Sequence, residues 1–181
     1  AREQGNHKLA AVALINLGAA LAGLGELPAA REALEAARQA NRANGDLVGE
    51  CHAAISLARA CGQMEDWGAA QQTYEAALAL ARQMFNADLA ADATSGLAES
   101  LVKLGRIEEG LARYQKLLSF HEKAGENKKV VETLIDMARV ELDRGDSGAA
   151  EAHGQKALYL SRQLEDTAQE AYCQYKLGSI Y

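Results

Sequence analysis

The residues of this sequence that could carry catalysis are its cysteines and histidines, because thiolates and imidazoles act as nucleophiles and bases. Cys51 and His52 are adjacent in the sequence. Adjacent residues on a helix point about 100° apart, which is a poor arrangement for a nucleophile and its base. His121 begins the stretch HEKAG, which lacks the second histidine of a zinc-protease helix. We therefore predict that the chain is not an enzyme.

The three cysteines, Cys51, Cys61 and Cys173, form no CxxC pair and leave an odd count. Reduced thiols are the simplest interpretation, because disulfides are rare in the cytosol. Cys61 is expected to be a small core residue, and His7 and His153 are expected to lie on the surface. The sequence predicts a cytoplasmic (intracellular) protein that uses no metal ion and no cofactor.

Charge and hydropathy argue against two features, a general nucleic-acid-binding surface and a membrane span. The net charge is -6 and the pI is about 5.3, whereas a general nucleic-acid binder shows a basic face. No apolar run approaches the roughly 18 residues that a membrane span needs. The lysine cluster at Lys123, Lys128 and Lys129 indicates a solvated edge, with a weak contact to an acidic partner as the alternative.

The elements that must position these side chains are helices. Hydrophobic residues make up 49% of the chain and there is one proline, and alanine, the best helix former, is abundant. No stretch alternates Val, Ile and Thr as a strand would. We predict an all-α chain of about nine helices, at residues 7–22, 27–42, 47–61, 67–84, 89–102, 107–123, 128–142, 147–163 and 167–181.

The sequence repeats at an offset of 40 residues. Residues 40 positions apart form a column of equivalent positions. One column holds large apolar residues, the column after it holds only small residues, and a second column of small residues follows in the next helix. Small residues at fixed places let two helices approach closely while large ones fill the space beside them. The three columns are Leu17, Leu57, Leu97, Met137 and Leu177; Gly18, Ala58, Ala98, Ala138 and Gly178; and Ala30, Ala70, Gly110 and Ala150.

Three places depart from the repeat. The turn column reads Gly25, Glu65, Gly105 and Gly145, and Gly62 before Glu65 suggests that the second turn differs. The segment FNADL resembles ANGDL with an offset of 42, which predicts a longer helix before the third unit and a shifted turn. In the fourth unit Glu141 stands in an apolar column and Gly154 replaces an aromatic residue, so looser packing is expected there.

These columns resemble the tetratricopeptide repeat, whose pattern has Leu-Gly or Leu-Ala, a turn glycine, and an alanine and an aromatic residue in the second helix. The 40-residue unit is similar to the variety found in Pins/LGN-type polarity adaptors, rapsyn and kinesin light chain. The resemblance implies an α-solenoid, a right-handed superhelix of antiparallel helix pairs. It predicts a single array over residues 1–181, with repeats at about 7–46, 47–86, 87–126, 127–166 and a partial fifth at 167–181.

In this family the first helix of each unit lines a concave groove, so the resemblance implies a scaffold or adaptor that binds a peptide or helical segment of a partner protein there. Opposite charges would fix the register of that segment and the isoleucines would anchor it. The alternative is a solvated charged face with the isoleucines partly buried between helices. The Lys and Asn clamp of chaperone adaptors is missing. The predicted partner-binding residues are His52, Ile55, Arg59, Asp92, Ser95, Glu99, Lys103, Glu132, Ile135, Arg139, Tyr172 and Tyr175.

Two other functions stay open from the sequence. One is an architectural element that self-associates through the open apolar ends of the solenoid, and the other is the sensor arm of a multidomain regulator. The last residues, YKLGSIY, place Leu177 and Gly178 in the repeat columns. They predict the first helix of a fifth repeat, with more repeats following Tyr181.

Overall fold

The computed structural model describes residues 2–164, and their side chains from residue 8 onward. Every element in this part of the chain is a helix, which confirms the predicted all-α class. The ninth predicted helix, at 167–181, lies outside the described residues. The eight helices are α1 Arg2–Gly23, α2 Leu27–Ala43, α3 Leu47–Gln63, α4 Trp67–Gln83, α5 Ala87–Lys103, α6 Ile107–Ala124, α7 Asn127–Asp143 and α8 Ser147–Gln163.

Short polar side chains start four of these helices. Asp46, Asp66, Asn86 and Asp146 each precede a helix, and each side-chain oxygen accepts a hydrogen bond from the backbone N–H three residues later. This bond satisfies one of the N–H groups that a helix start leaves without a partner. Pro28 stands in the first turn of α2, where its missing N–H costs nothing. The local sequence therefore fixes where these helices begin.

The turns correct two of the sequence predictions. Glu65 adopts a left-handed backbone with φ 61°, as the turn glycines of its column do, so the second turn does not differ from the others. The helix before the third unit is not longer, since α4 has 17 residues like α2. Phe85, with φ 53°, stands 40 residues from both Gly45 and Gly125. The similarity of the segments FNADL and ANGDL gave the wrong offset. The position of the left-handed turn residue, rather than local sequence similarity, sets the register of the repeat.

Replacing Phe85 by glycine is expected to raise the free energy of unfolding by about 1 kcal/mol, because a left-handed backbone is unfavourable for any residue with a Cβ. The phenyl ring is 96% exposed, so its removal forfeits almost no packing. Urea unfolding of dilute protein, followed by circular dichroism, measures the change. Phe85→Ala is the matched control, since it removes the ring but keeps the Cβ. A gain in Phe85→Ala equal to that in Phe85→Gly would contradict the backbone explanation.

The chain divides into two compact units, Ala1–Arg106 and Ile107–Tyr181. In the first unit, consecutive helices pack against each other from α1 to α5, and the first helices α1, α3 and α5 also lie side by side. Leu57 and Leu97 are buried in this core beside the fully buried Ala58 and Ala98. The large and small columns of the sequence therefore form the core, as predicted.

One face of α1 is open in comparison with the same face of α3 and α5. Leu17 is 50% exposed, whereas its equivalents Leu57 and Leu97 are 4% and 1% exposed. The difference arises because α3 and α5 each pack against the second helix of the preceding pair, and no described helix lies in that position for α1. Leu9 and Val12 are exposed on the same helix.

The second unit is built on α7, which packs against both α6 and α8. Its core contains Tyr114, Val131, Leu134 and Met137. Glu141 is also buried, and its Oε2 lies 2.7 Å from Nδ1 of His153 on α8. His153 is half-buried in this pair, so the prediction that it is a surface residue is wrong. The carboxyl group in the apolar column therefore has a hydrogen-bond partner on the neighbouring helix.

Candidate functional site

The first helices of the first unit present a mixed polar surface. His52 and Arg59 on α3 are exposed, as are Asp92 and Lys103 on α5, and Ser95 and Glu99 are half-buried between them. Residues three, four or seven apart share one face of a helix, so each helix carries its predicted residues in one stripe. Because α3 and α5 lie side by side, the two stripes are neighbours.

A pocket of about 160 Å³ opens on this surface between α3 and α5. Arg59 and Gln63 form its α3 wall and Glu99 its α5 wall, and the aromatic rings of Trp67 and Tyr74 reach it from α4. The pocket therefore combines an aromatic lining with charged groups of both signs, a combination typical of ligand sites. We call these five residues the α3–α5 pocket.

Two glycines give the aromatic rings their positions. A Cβ added at Gly62 would lie 2.9 Å from Cζ3 of Trp67, and one at Gly96 would overlap the ring of Tyr74. Both glycines are inside helices, where glycine is otherwise unfavourable. Their role is to let an aromatic side chain of α4 lie directly against the backbone of α3 or α5.

Charged groups surround the Tyr74 hydroxyl. Burial raises the pKa of Tyr74 above its usual value, and the nearby Glu99 carboxylate adds to this, while Arg59 opposes it by its charge and by a hydrogen bond to the hydroxyl. Nζ of Lys103 lies 5.9 Å from the centre of the Trp67 ring, a cation–π distance. Among the described carboxylates, none forms a salt bridge with Arg59. Its guanidinium therefore has donors left for another group.

The structure removes two residues from the predicted binding surface. Ile55 and Ile135 are only 6% and 4% exposed, because they face the cores of their units. The two isoleucines therefore cannot anchor a peptide on this surface. In the second unit, Glu132 and Arg139 are exposed on α7, and Nη2 of Arg139 lies 3.5 Å from Oδ1 of Asp136. Tyr172 and Tyr175 lie outside the described residues.

The sequence analysis did not assign the two aromatic residues of the α3–α5 pocket, Trp67 and Tyr74, to a site. Nor did it assign Gly62 and Gly96, the glycines that these rings lie against. The available signal was the occurrence of two glycines inside helices that also contain strong helix formers. A glycine at such a position indicates a close approach of another side chain.

Cys51, Cys61 and His121 are buried structural residues. Burial raises the pKa of the Cys51 thiol to about 11, and its Sγ donates a hydrogen bond to the Ala77 carbonyl, 3.3 Å away. Burial also raises the pKa of Cys61, and a raised pKa disfavours the reactive thiolate form. Nδ1 of buried His121 lies 2.6 Å from Oε2 of Glu126 at the α6–α7 turn, where Lys129 also bonds Glu126.

Two further observations concern the part of the chain that the structure describes. No group of three or more His, Cys, Asp or Glu side chains there is arranged to hold a metal ion. No helix there has both the length and the apolar character needed to cross a membrane.

The sequence matches one protein family, the tetratricopeptide repeat, over residues 2–83 and 89–163. The chain therefore belongs to the tetratricopeptide repeat family. A search of curated proteins finds no significant match to it.

Solved structures share the fold. The apo form of RapI matches with a TM-score of 0.82 and 13% identity, over 94% of this chain and 62% of RapI. Aspartyl phosphate phosphatase F from Bacillus subtilis gives 0.84 and 8%, over 96% of this chain and 46% of that protein. A Rap protein complexed with Competence and Sporulation Factor gives 0.59 and 15%, over 88% and 48%. The chain thus spans less than two thirds of each, and these identities show the fold alone.

Proposed function

We propose that this chain is a protein-interaction module in which the exposed face of α3 and α5 binds an extended peptide segment of a partner protein. The observation that carries the proposal is the α3–α5 pocket, because it is a concave site with an aromatic lining and charged side chains aimed into it. Its volume of about 160 Å³ suits one side chain of a peptide rather than a whole small molecule, since drug-sized ligands occupy roughly 300 Å³ or more.

The charges of the pocket favour an acidic side chain of the partner. Arg59 and Lys103 bring two positive charges to its rim, against the single negative charge of Glu99. The charge of Arg59 acts on the Tyr74 hydroxyl and lowers its pKa, which places the guanidinium near the aromatic wall of the pocket. Arginine can then bind a carboxylate through two parallel hydrogen bonds. Glu99 would repel a carboxylate that approached the α5 wall and so direct it toward Arg59.

The remaining exposed residues would select the sequence of the bound segment. Asp92 and His52 precede the pocket along α5 and α3 by about two turns, so an extended peptide that fills the pocket also passes these side chains. Opposite charges placed along such a path set register and specificity more than affinity. The solved complex of a Rap protein with Competence and Sporulation Factor supports a binding role for this fold. A cytoplasmic adaptor without catalytic activity fits these features.

Replacing Arg59 by glutamate is expected to weaken binding of an acidic peptide about tenfold, since it turns an attraction of roughly 1 kcal/mol between exposed opposite charges into a repulsion. The probe is a random peptide library displayed on phage and selected on the purified chain, followed by titration of the enriched synthetic peptide by calorimetry. Arg59→Glu should keep the helical content of the wild type.

Lys116→Glu is the matched control, because it reverses a charge on an exposed residue of α6 and should leave the affinity unchanged. A selection that enriches no peptide would contradict the proposed binding face. An enriched acidic peptide that binds Arg59→Glu as tightly as the wild type would place the contact elsewhere.

A further inference from the structure

Phe85 is exposed and held in an unfavourable backbone conformation. It occupies the turn between α4 and α5 with φ 53°, and its side chain is 96% exposed. The equivalent turns use Gly45 and Gly125, residues that take this conformation without strain. A bulky residue in the left-handed region that is almost fully exposed among the described residues points to a function outside the fold of its own chain.

A cleft lies next to Phe85 on the same edge of the first unit. Its volume is about 670 Å³, and its lining includes Lys8, Ala43, Asp46, Leu47, Val48 and Met84. Met84 directly precedes Phe85 in the sequence, so the exposed ring is attached next to a residue of the cleft wall. The exposed Val48 adds apolar surface to the lining. We call these six lining residues together with Phe85 the turn edge.

We propose that the turn edge binds a second copy of this chain, with Phe85 of each copy inserted into the cleft of the other. The argument rests on self-complementarity. A projecting ring and a cleft large enough for it are adjacent on one surface, and a two-fold axis between two such surfaces brings each ring to the opposite cleft. Two-fold contacts of this kind close on themselves and are the commonest form of oligomer.

The charges around the ring and the cleft are also complementary. Arg82 and Asp88 are exposed on either side of Phe85, and the cleft contains Lys8 and Asp46. Hydrogen bonding to the Gly49 N–H and then to Lys8 lowers the pKa of Asp46, so its carboxylate is ionised at neutral pH. Nζ of Lys8 and Oδ2 of Asp46 lie 3.0 Å apart within the cleft. In the dimer this pair would be joined by Asp88 and Arg82 of the second copy in a four-membered network of alternating charge, so association should weaken as salt is added.

This surface is separate from the peptide site. The turn edge shares no residue with the α3–α5 pocket, so a dimer can form whether or not the pocket is filled. The exposed face of α1 is a second apolar surface of the same unit, and it supplies the rival explanation for any dimer. Leu24 is 75% exposed and lies beyond the end of α1 that is opposite Lys8. Its substitution tests whether the α1 face forms the dimer.

Sedimentation equilibrium of the full chain over about a hundredfold range of concentration tests the proposal. The wild type should show a monomer–dimer equilibrium. Phe85→Gly should weaken dimerisation at least about tenfold, as loss of an interface anchor does, and it relieves backbone strain rather than unfolding the protein. Val48→Glu, in the cleft, should weaken it as well. Leu24→Ser, a matched removal of an exposed apolar side chain, should leave it unchanged.

Mixing the two defective variants tests reciprocal insertion directly. The Phe85→Gly copy keeps its cleft and the Val48→Glu copy keeps its ring, so an equimolar mixture should form heterodimers with one intact contact where neither variant dimerises alone. A monomeric wild type, a dimer that survives Phe85→Gly, or a dimer lost in Leu24→Ser would each overturn the proposal. A mixture that stays monomeric would overturn the reciprocal arrangement.

Discussion

Replacing His153 by leucine is expected to lower the free energy of unfolding by about 3 kcal/mol, the loss typical of a buried charge deprived of its partner. The carboxylate of Glu141 is only 6% exposed, and His153 Nδ1 lies 2.7 Å from its Oε2. Leucine has nearly the volume of histidine but cannot bond the carboxylate. The Glu141 side chain must then stay buried without a donor, take up a proton or force the helices apart, and each of these is unfavourable.

A double-mutant cycle separates the pair from the packing around it. In Glu141→Leu the apolar column that contains Leu21, Cys61 and Leu101 is restored, and in Glu141→Leu/His153→Leu no buried charge remains. The double variant should be far more stable than His153→Leu and close to the wild type. Urea unfolding monitored by circular dichroism gives all four free energies. The interpretation is wrong if His153→Leu differs from the wild type by less than about 0.5 kcal/mol, the scale of an ordinary surface substitution.

Gly96→Ala should destabilise the protein by about 2 kcal/mol, although the same change in an open helix position stabilises by up to 1 kcal/mol. The new methyl group would overlap the ring of Tyr74, which is buried between the helices. Introducing atoms into a filled core forces neighbouring side chains or backbone to move, at about 1–3 kcal/mol. A loss rather than a gain of stability in Gly96→Ala would therefore support the close approach of the Tyr74 ring to Gly96.

The matched control is Gly68→Ala in the first turn of α4. The nearest atom to a Cβ there is Oδ1 of Asp66 at 4.0 Å, so this variant should be as stable as the wild type or slightly more stable. Tyr74→Leu supplies the second arm, because removal of the ring vacates the space that the methyl group needs. Combining Gly96→Ala with Tyr74→Leu should cost less than the sum of the two single changes. Strict additivity would show that Tyr74 is not the group displaced.

The fold was largely predictable because its determinants are local or repeated. Helix-capping residues such as Asp46 and Asn86 act within three residues, and the large and small columns recur at one spacing. The Glu141–His153 pair was not predictable in this way. Its members lie 12 residues apart on different helices, so only the packing of α7 on α8 reveals that a charge in an apolar column has a partner.

The proposed binding face could be predicted from the sequence only in part. Arg59, Glu99 and Lys103 came from the family columns, and the structure places them around one pocket or at its rim. The repeat pattern also included Ile55, which faces the core. Equivalence between repeats fixes where a residue lies along its helix more accurately than the direction in which its side chain points. Trp67 and Gly62 were missed because they contribute through a contact between α3 and α4, which no single helix displays.

Trp67 is the single tryptophan of the chain, and it lines the α3–α5 pocket with the ammonium group of Lys103 near its ring. Indole emission responds to the charges and the water around the ring. A carboxylate that enters the pocket changes both, since it displaces solvent and draws the cation away. The protein thus carries its own optical reporter at the site, and a fluorescence titration of the unlabelled chain can follow occupancy of this pocket alone.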